Sequence, residues 1–126
     1  RELLILGATG GRIDHLWANV QSLMIPFKAG VDARILDEQN RIRLIHGDVT
    51  LKRSEAYGPY FSVFPLGEVI YGFNISGAKY PLEDHILTPY DSLCVSNQFE
   101  EEEVTISAPG GTVILMETRD KKVESI

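Results

Sequence analysis

The spacing of apolar residues along the chain changes twice, and each change predicts a different kind of element. Leu3-Leu4-Ile5-Leu6 is a short unbroken apolar run ended by Gly7, the pattern of a strand buried on both faces in a parallel sheet. From Ile13 the spacing lengthens. Ile13, Leu16, Trp17, Val20, Leu23, Met24 and Phe27 fall at steps of three and four, which puts one apolar stripe along a helix of about four turns. Pro26 removes a backbone donor late in that helix, predicting a bend or an earlier end, and Gly30 is its stop signal. Residues 32–37 return to a strand pattern, so strand, crossover helix and strand make a βαβ unit. Such a unit cannot cover a sheet alone and needs neighbours that this sequence does not encode.

Beyond Arg41 no amphipathic helical window occurs. Short β-rich runs at 42–46, 49–53, 60–65, 69–74, 93–97, 104–108 and 112–118 are punctuated by Gly, Pro and Asn. Regularly spaced short strands predict an antiparallel β-sandwich or jelly-roll-like domain, so the fold class is mainly β, preceded by one βαβ unit. In this reading Gly47-Asp48 turns between two strands, and Gly110-Gly111 is the hairpin turn between the last two. The expected division is residues 1–39 for the βαβ piece, 40–119 for the β domain, and 120–126 for a loose charged tail. Phe61, Phe64 and Trp17 are expected in the core, and alternation along its strand accounts for Ser62.

Composition narrows the function classes. A chain of 126 residues with 44% apolar and 24% charged residues can bury one sizeable core. No apolar run approaches the roughly 20 residues of a bilayer span, and the N-terminus lacks the order of a signal peptide, so a cytoplasmic site is the default expectation. Cys94 is the one cysteine, in an apolar stretch, which excludes an intrachain disulfide and cysteine-ligated zinc and predicts a buried small residue. A net charge of −6 and the solvated run of glutamates at 100–103 argue against tracking nucleic-acid phosphates. A chain that enters a strand two residues after Arg1 reads as a domain cut from something longer.

The segment Gly7-Ala8-Thr9-Gly10-Gly11-Arg12-Ile13-Asp14-His15 lies between a strand and a helix start, where backbone N–H groups and the helix dipole favour an anion. Gly10, Gly11 and Arg12 could hold phosphate, with Arg12 adding a fork of donors, and Asp14 supplies either a helix cap or a carboxylate for metal or acid–base work. A glycine turn with an ordinary cap fits the local pattern equally well. A dinucleotide fingerprint fits poorly: the third glycine would fall at Ile13, and Asp37 is too distant for the ribose-binding acid. His46 and His85 match no motif and read as surface or turn residues.

That nine-residue segment, followed by Leu16, Ala18 and Asn19, resembles the signature of bacterial thiamine pyrophosphokinases. Three further runs occur in that family's order: Tyr60-Phe61-Ser62-Val63-Phe64-Pro65-Leu66, then Gly77-Ala78-Lys79-Tyr80-Pro81-Leu82, then Cys94-Val95-Ser96-Asn97-Gln98. The resemblance covers nearly all of residues 3–118. It implies a transferase that moves the diphosphate of ATP onto the hydroxyethyl oxygen of thiamine, leaving AMP and thiamine diphosphate. Magnesium, an α/β domain for ATP and metal, a β-sandwich for thiamine, and a homodimer with the site between subunits are implied with it.

Carried over residue by residue, the resemblance gives Arg12 to phosphate and Asp14 to the acidic cluster near metal and the thiamine hydroxyl. His15 becomes a neighbour of the site to which no proton-transfer role is assigned, and Asn19 either orients the cluster or is a helix-surface amide. Thiamine is a cation built from two aromatic rings, which calls for an aromatic platform and directed hydrogen bonds. Tyr80 is the candidate platform, Leu82 an apolar wall, and Ser96 and Asn97 the polar contacts. Without the family, Tyr80 before Pro81 is a turn aromatic and Ser96-Asn97 merely ends a strand. The family's acidic motifs, Gly-Asp-Phe-Asp-Ser and a second Thr-Asp, do not occur, and Gly47-Asp48 does not replace them. The expectation is therefore a parent kinase whose present chain is inactive alone. A thiamine-binding β module without catalysis, or a nicotinamide-dinucleotide-binding parent, are the other classes to be separated.

Overall fold

The computed structural model describes residues 1–7 and 10–121. Strand β1 (Glu2–Leu6) leads through helices α1 (Ile13–Ser22) and α2 (Met24–Lys28) to β2 (Asp32–Leu36), which pairs with β1 in parallel along its whole length. The single helix expected from the apolar stripe is thus two, parted at Leu23. Pro26 is the cause. It has no N–H for the Ser22 carbonyl four residues back and its ring would crowd that carbonyl, but it is tolerated in the first turn of a new helix. Gly30, at φ +75°, then stops α2 as expected.

The other strands are β3 (Asn40–Lys52), β4 (Tyr60–Pro65), β5 (Ile70–Ser76), β6 (Leu82–Leu87), β7 (Asn97–Gln98) and β8 (Glu103–Thr118), with one 3-10 turn at Arg53–Glu55. Two of them differ from expectation in the same way. The runs 42–46 and 49–53 join into β3, and 104–108 and 112–118 join into β8, so neither Gly47-Asp48 nor Gly110-Gly111 is a turn between strands. The two pair antiparallel from Asn40–Thr118 to Lys52–Glu103; His46 faces Thr112 and Gly47 faces Ala108, so residues 109–111 bulge out of the ladder. Gly47 and Gly110 have φ of +76° and +65°. A bulge and a hairpin turn ask for the same left-handed backbone, so glycine in the sequence marks either.

That bend lets one pair of strands serve two half-sheets. On one side of it β4 pairs with β8 from Tyr60–Thr118 to Pro65–Val113; on the other, β5 pairs with β8 at Asn74–Ser107, Ile75–Ile106 and Ser76–Thr105. The halves close over one core that includes Phe61, Val63, Phe73, Ile75, Leu87, Val104, Ile106 and Leu115. The mainly β, sandwich-like architecture with an antiparallel ladder and one βαβ unit therefore stands as the sequence implies. β2 continues into it by pairing antiparallel with β3 at Ile35–Ile42 and Leu36–Arg41.

A second cluster lies between the helices and the outer face of the sheet, where Val20 and Leu23 pack on Ala33, Ile35, Ile42, Leu44 and Ile114. The stripe on α1 is only half used. Trp17, expected in the core, is 53% exposed and Ile13 is 80% exposed. β1 is likewise not buried on both faces: it is an edge strand, and Leu4 and Leu6 face solvent. Both corrections have one cause, since among the described residues no element covers the far side of the βαβ unit. Of the other expected core aromatics, Phe61 is buried and Phe64 is partly buried against the second cluster.

β6 was not expected, and of the strand expected at 93–97 only Asn97 is in β7. As an edge strand paired to β5 alone, β6 keeps Glu83, Asp84 and Ile86 in solvent, so its apolar density is too low to read. The residues before β7 fail differently: of Leu93, Cys94 and Val95 only Cys94 is buried. Among the described residues no helix is long and apolar enough to cross a membrane.

Candidate functional site

The glycine-rich turn delivers Arg12 and Asp14 to the N-terminus of α1. Ala8 and Thr9 lie outside the described residues. Gly7 and Gly11 have φ of +72° and +84°, conformations that glycine adopts without strain. Arg12 is the extended residue before α1, and Asp14 lies within its first turn. The Arg12 guanidinium pairs with one oxygen of Asp14, and the other oxygen accepts the His15 N–H at 2.9 Å. Asp14 thus serves a first-turn N–H, in the place where a negative charge suits the helix dipole, and the side chain of the N-cap residue Arg12 makes no capping hydrogen bond. Both Arg12 and Asp14 are largely solvent-exposed, as is His15; Asn19 lies half-buried further along α1. A guanidinium fork beside a helix N-terminus is chemically able to take a phosphate, with Asp14 exchanging its partner when it does.

Magnesium uses one or two carboxylates together with substrate phosphates. Asp14 is one such oxygen donor, but the described residues hold no group of three or more His, Cys, Asp or Glu able to bind a metal. They do not complete a magnesium site.

The second group is built by strand pairing. At Gly77 the backbone is left-handed, φ +78°, and a Cβ there would stand 2.1 Å from the Glu103 carbonyl oxygen, so only glycine fits. Its own carbonyl accepts the N–H groups of Glu100 and Glu101, both at 3.0 Å. The chain then runs beside β7, with Ala78 bridging Phe99 and the Lys79 N–H donating to the Gln98 carbonyl at 2.8 Å. Asn97 is 1% exposed, and its amide grips the next residue from both sides: Oδ1 accepts the Tyr80 N–H at 3.0 Å and Nδ2 donates to the Tyr80 carbonyl at 2.9 Å. Asn97 Oδ1 also accepts the Gln98 N–H at 2.9 Å.

Tyr80 is held at its backbone while its ring is 54% exposed, with the Lys79 ammonium 5.5 Å from the ring centroid. A cation therefore already rests against the face of this ring. Leu82 packs against the core cluster and pairs with Ile75. Ser96 is exposed and has φ +57°, uncommon for a residue with a side chain. The structure thus gathers Tyr80 and Asn97, with Ser96 adjacent, and separately gathers Arg12 and Asp14. Among the described residues no hydrogen bond or ion pair joins the two groups.

Two features were not read from the sequence. Ser62 is buried, not alternating outward, and its hydroxyl accepts the Ser96 N–H at 2.9 Å. His85 is not an isolated turn residue: its Nε2 pairs with Asp91 Oδ2, both side chains mostly buried. The other oxygen, Asp91 Oδ1, accepts the Leu93 N–H at 2.8 Å. Burial opposes the Asp91 charge, but the Leu93 N–H and His85 together outweigh it and hold the carboxyl below its ordinary range. Both links join residues six or more apart without any local motif, so spacing offered no signal. His46, by contrast, is exposed as expected, with Nδ1 2.9 Å from Thr112 Oγ1. Cys94 is buried as expected. Desolvation first, then the Asp91 charge, pushes its thiol up to about 12.

Two cavities among the described residues lie apart from these groups. A cavity of about 420 Å³ between α2, β2 and β3 is lined by Leu23, Phe27, Val31 and Leu44, and by none of the predicted site residues. One of about 350 Å³ is lined by Arg53, Pro59, Gln98 and Phe99, the last two directly following Asn97.

Comparison with known proteins bears on the same segment. Residues 48–113 match the family described as thiamin pyrophosphokinase, vitamin B1 binding domain. A curated thiamine pyrophosphokinase of Bacillus subtilis strain 168 is 33% identical over 117 residues, covering 92% of this chain and 54% of that protein. The crystal structure of thiamine pyrophosphokinase from Bacillus subtilis superposes with a TM-score of 0.87 at 31% identity, covering 95% of this chain and 56% of that one. That of the Geobacillus thermodenitrificans thiamin pyrophosphokinase gives 0.82 at 32% identity, covering 97% and 56%. The chain spans about half the length of these relatives.

Proposed function

We propose, from the premise that this chain belongs to the thiamine pyrophosphokinase family and carries its vitamin B1 binding domain, that its β-sandwich binds thiamine for diphosphate transfer from ATP. The observation that carries the reading is the match over 48–113, which encloses Tyr80, Leu82, Ser96 and Asn97. The exposed Tyr80 ring suits a flat, cationic ligand, because the face now shared with Lys79 can stack on a thiazolium or pyrimidine ring. Leu82 bounds it with apolar surface, and Ser96 offers a hydroxyl to the aminopyrimidine. Asn97 acts one step back. Its amide is committed to the Tyr80 backbone and fixes where the platform stands.

In the reaction the hydroxyethyl oxygen of thiamine attacks the β-phosphorus of ATP, loses its proton, and AMP leaves with the electrons of the broken bridge. Little covalent chemistry falls to the protein, so neutralising and aligning the phosphates dominates. Arg12 and the N–H groups at Gly10, Gly11 and the start of α1 are assigned to phosphate. Asp14, adjacent to them, is assigned to the acidic cluster near the metal and the attacking hydroxyl. Magnesium supplies charge neutralisation when bound, and its remaining carboxylates are assigned to polypeptide outside the described residues.

On this reading residues 1–39 are a piece of the ATP-binding domain and 40–119 the thiamine-binding domain of a cytoplasmic homodimer whose site forms between subunits. The 126-residue chain alone binds thiamine without turning it over. Incubation with ATP, magnesium and thiamine tests this. We expect no thiamine diphosphate, whereas its formation at enzymatic rates contradicts the assignment of the metal ligands.

A further inference from the structure

The segment 88–96, which links β6 to β7 and ends on Ser96, has no strand ladder of its own. Little burial holds it: Tyr90, Leu93 and Val95 are exposed, and Cys94 alone is in the core. Such a segment should be loose, and loose segments cannot present a side chain at a fixed point. Three links hold it instead. Asp91 ties it to β6 through His85, the Cys94 carbonyl accepts the Val63 N–H of β4 at 3.0 Å, and the Ser62 hydroxyl accepts the Ser96 N–H.

Of these the His85–Asp91 link is the least replaceable. Asp91 uses both carboxylate oxygens, one turned outward to β6 and one inward to the Leu93 N–H, so a single side chain shapes the loop and anchors it. His85 stands on β6 opposite Phe73, which is fully buried, so the anchor rests on the core. At the far end Ser96 keeps a left-handed backbone that is strained for a residue with a side chain and persists only where its surroundings enforce it.

We propose that His85 and Asp91 are positioning residues: their pair latches the 88–96 segment to β6 and thereby holds Ser96 in its strained conformation next to Asn97, whose amide grips the Tyr80 backbone. This rests on the thiamine-binding reading for the role of Ser96, but the latch itself is a property of the free chain. Neither His85 nor Asp91 is assigned a ligand contact, since the imidazole Nε2 and both Asp91 oxygens are engaged within the chain. They act through the backbone of the segment, as the buried Ser62 hydroxyl does from the other side.

The test is hydrogen exchange by NMR on the whole 126-residue chain, paired with thiamine titration, for the wild type, His85→Ala and His85→Gln. His85→Ala should speed exchange at the Leu93 and Ser96 amides about tenfold or more while leaving Ile106 and Leu115 in the core unchanged. His85→Gln keeps a donor where Nε2 stood and should restore slow exchange, which a merely space-filling role for the imidazole does not predict. Thiamine affinity should fall about tenfold in His85→Ala and recover in His85→Gln. Unchanged exchange at Ser96 in His85→Ala overturns the latch, and unchanged thiamine affinity overturns its positioning role. A wild-type chain that takes up no thiamine overturns the binding reading instead, and exchange at Ser96 still decides the latch.

Discussion

Asn97, itself buried, places three hydrogen bonds on part-buried backbone groups, and this separates its role from that of Ser96 beside it. Asn97→Ala strands the Tyr80 N–H and carbonyl in a half-buried place. It should cost about 1–3 kcal/mol in urea denaturation, with weaker thiamine binding because the platform is no longer fixed. The Ser-Asn pair was expected to end a strand, whereas Ser96 precedes β7 and Asn97 opens it; the grip on Tyr80 joins residues 17 positions apart and has no local signature. Cys94 was legible, since an apolar flank is itself the signal for burial. Its thiol, raised to about 12, should resist alkylation at mildly alkaline pH in the folded chain and react readily in denaturant. Rapid labelling of the native chain would contradict its burial. Asp91 gives a pH dependence of definite sign. A carboxyl held below its unfolded value of 3.8 stabilises the fold fully above that pH and loses its contribution as pH falls through the folded value. Leu93 and Ser96 amides should therefore lose protection in acid before the core does, and Asp91→Asn should remove that acid step.

Among the elements, those with a strong period were the most readable. β1, β2, β4 and β5 fall near where the apolar runs put them, and both the helical stripe and its break follow from Ile13 spacing and Pro26. What spacing did not reveal was continuity through glycine: β3 and β8 run on past Gly47 and Gly110 because those residues bend the pair instead of ending it. β6 escaped because an edge strand needs few apolar residues. Gly77 offers a test at this scale. Its φ is positive, and a methyl on its Cα would stand 2.1 Å from the Glu103 carbonyl oxygen, which leaves no room for alanine. Gly77→Ala should therefore lower stability by more than the roughly 1 kcal/mol of an ordinary glycine change, read from the denaturation midpoint. It should also speed exchange at the Glu100 and Glu101 amides that bond to its carbonyl. Unchanged stability would mean that the turn can open without cost.

At the scale of the whole molecule, one core joins two half-sheets through a shared bent ladder, and the vitamin B1 binding match lies within that sandwich. The βαβ unit adds a second, smaller cluster and leaves Trp17, Leu4 and Leu6 in solvent. The fold class was legible because periods of two and of three to four residues are written in the chain itself. The candidate site was legible only through resemblance, because Asn97 reaches Tyr80 by side-chain bonds across 17 positions and Tyr80, Ser96 and Asn97 each look ordinary in isolation. The most direct measurement of the central claim is calorimetric titration of the chain with thiamine and, separately, with NAD. Saturable heat is expected with thiamine, lost in Tyr80→Ala while the fold persists, and none with NAD. Heat with NAD alone, or thiamine binding indifferent to Tyr80→Ala, would contradict it.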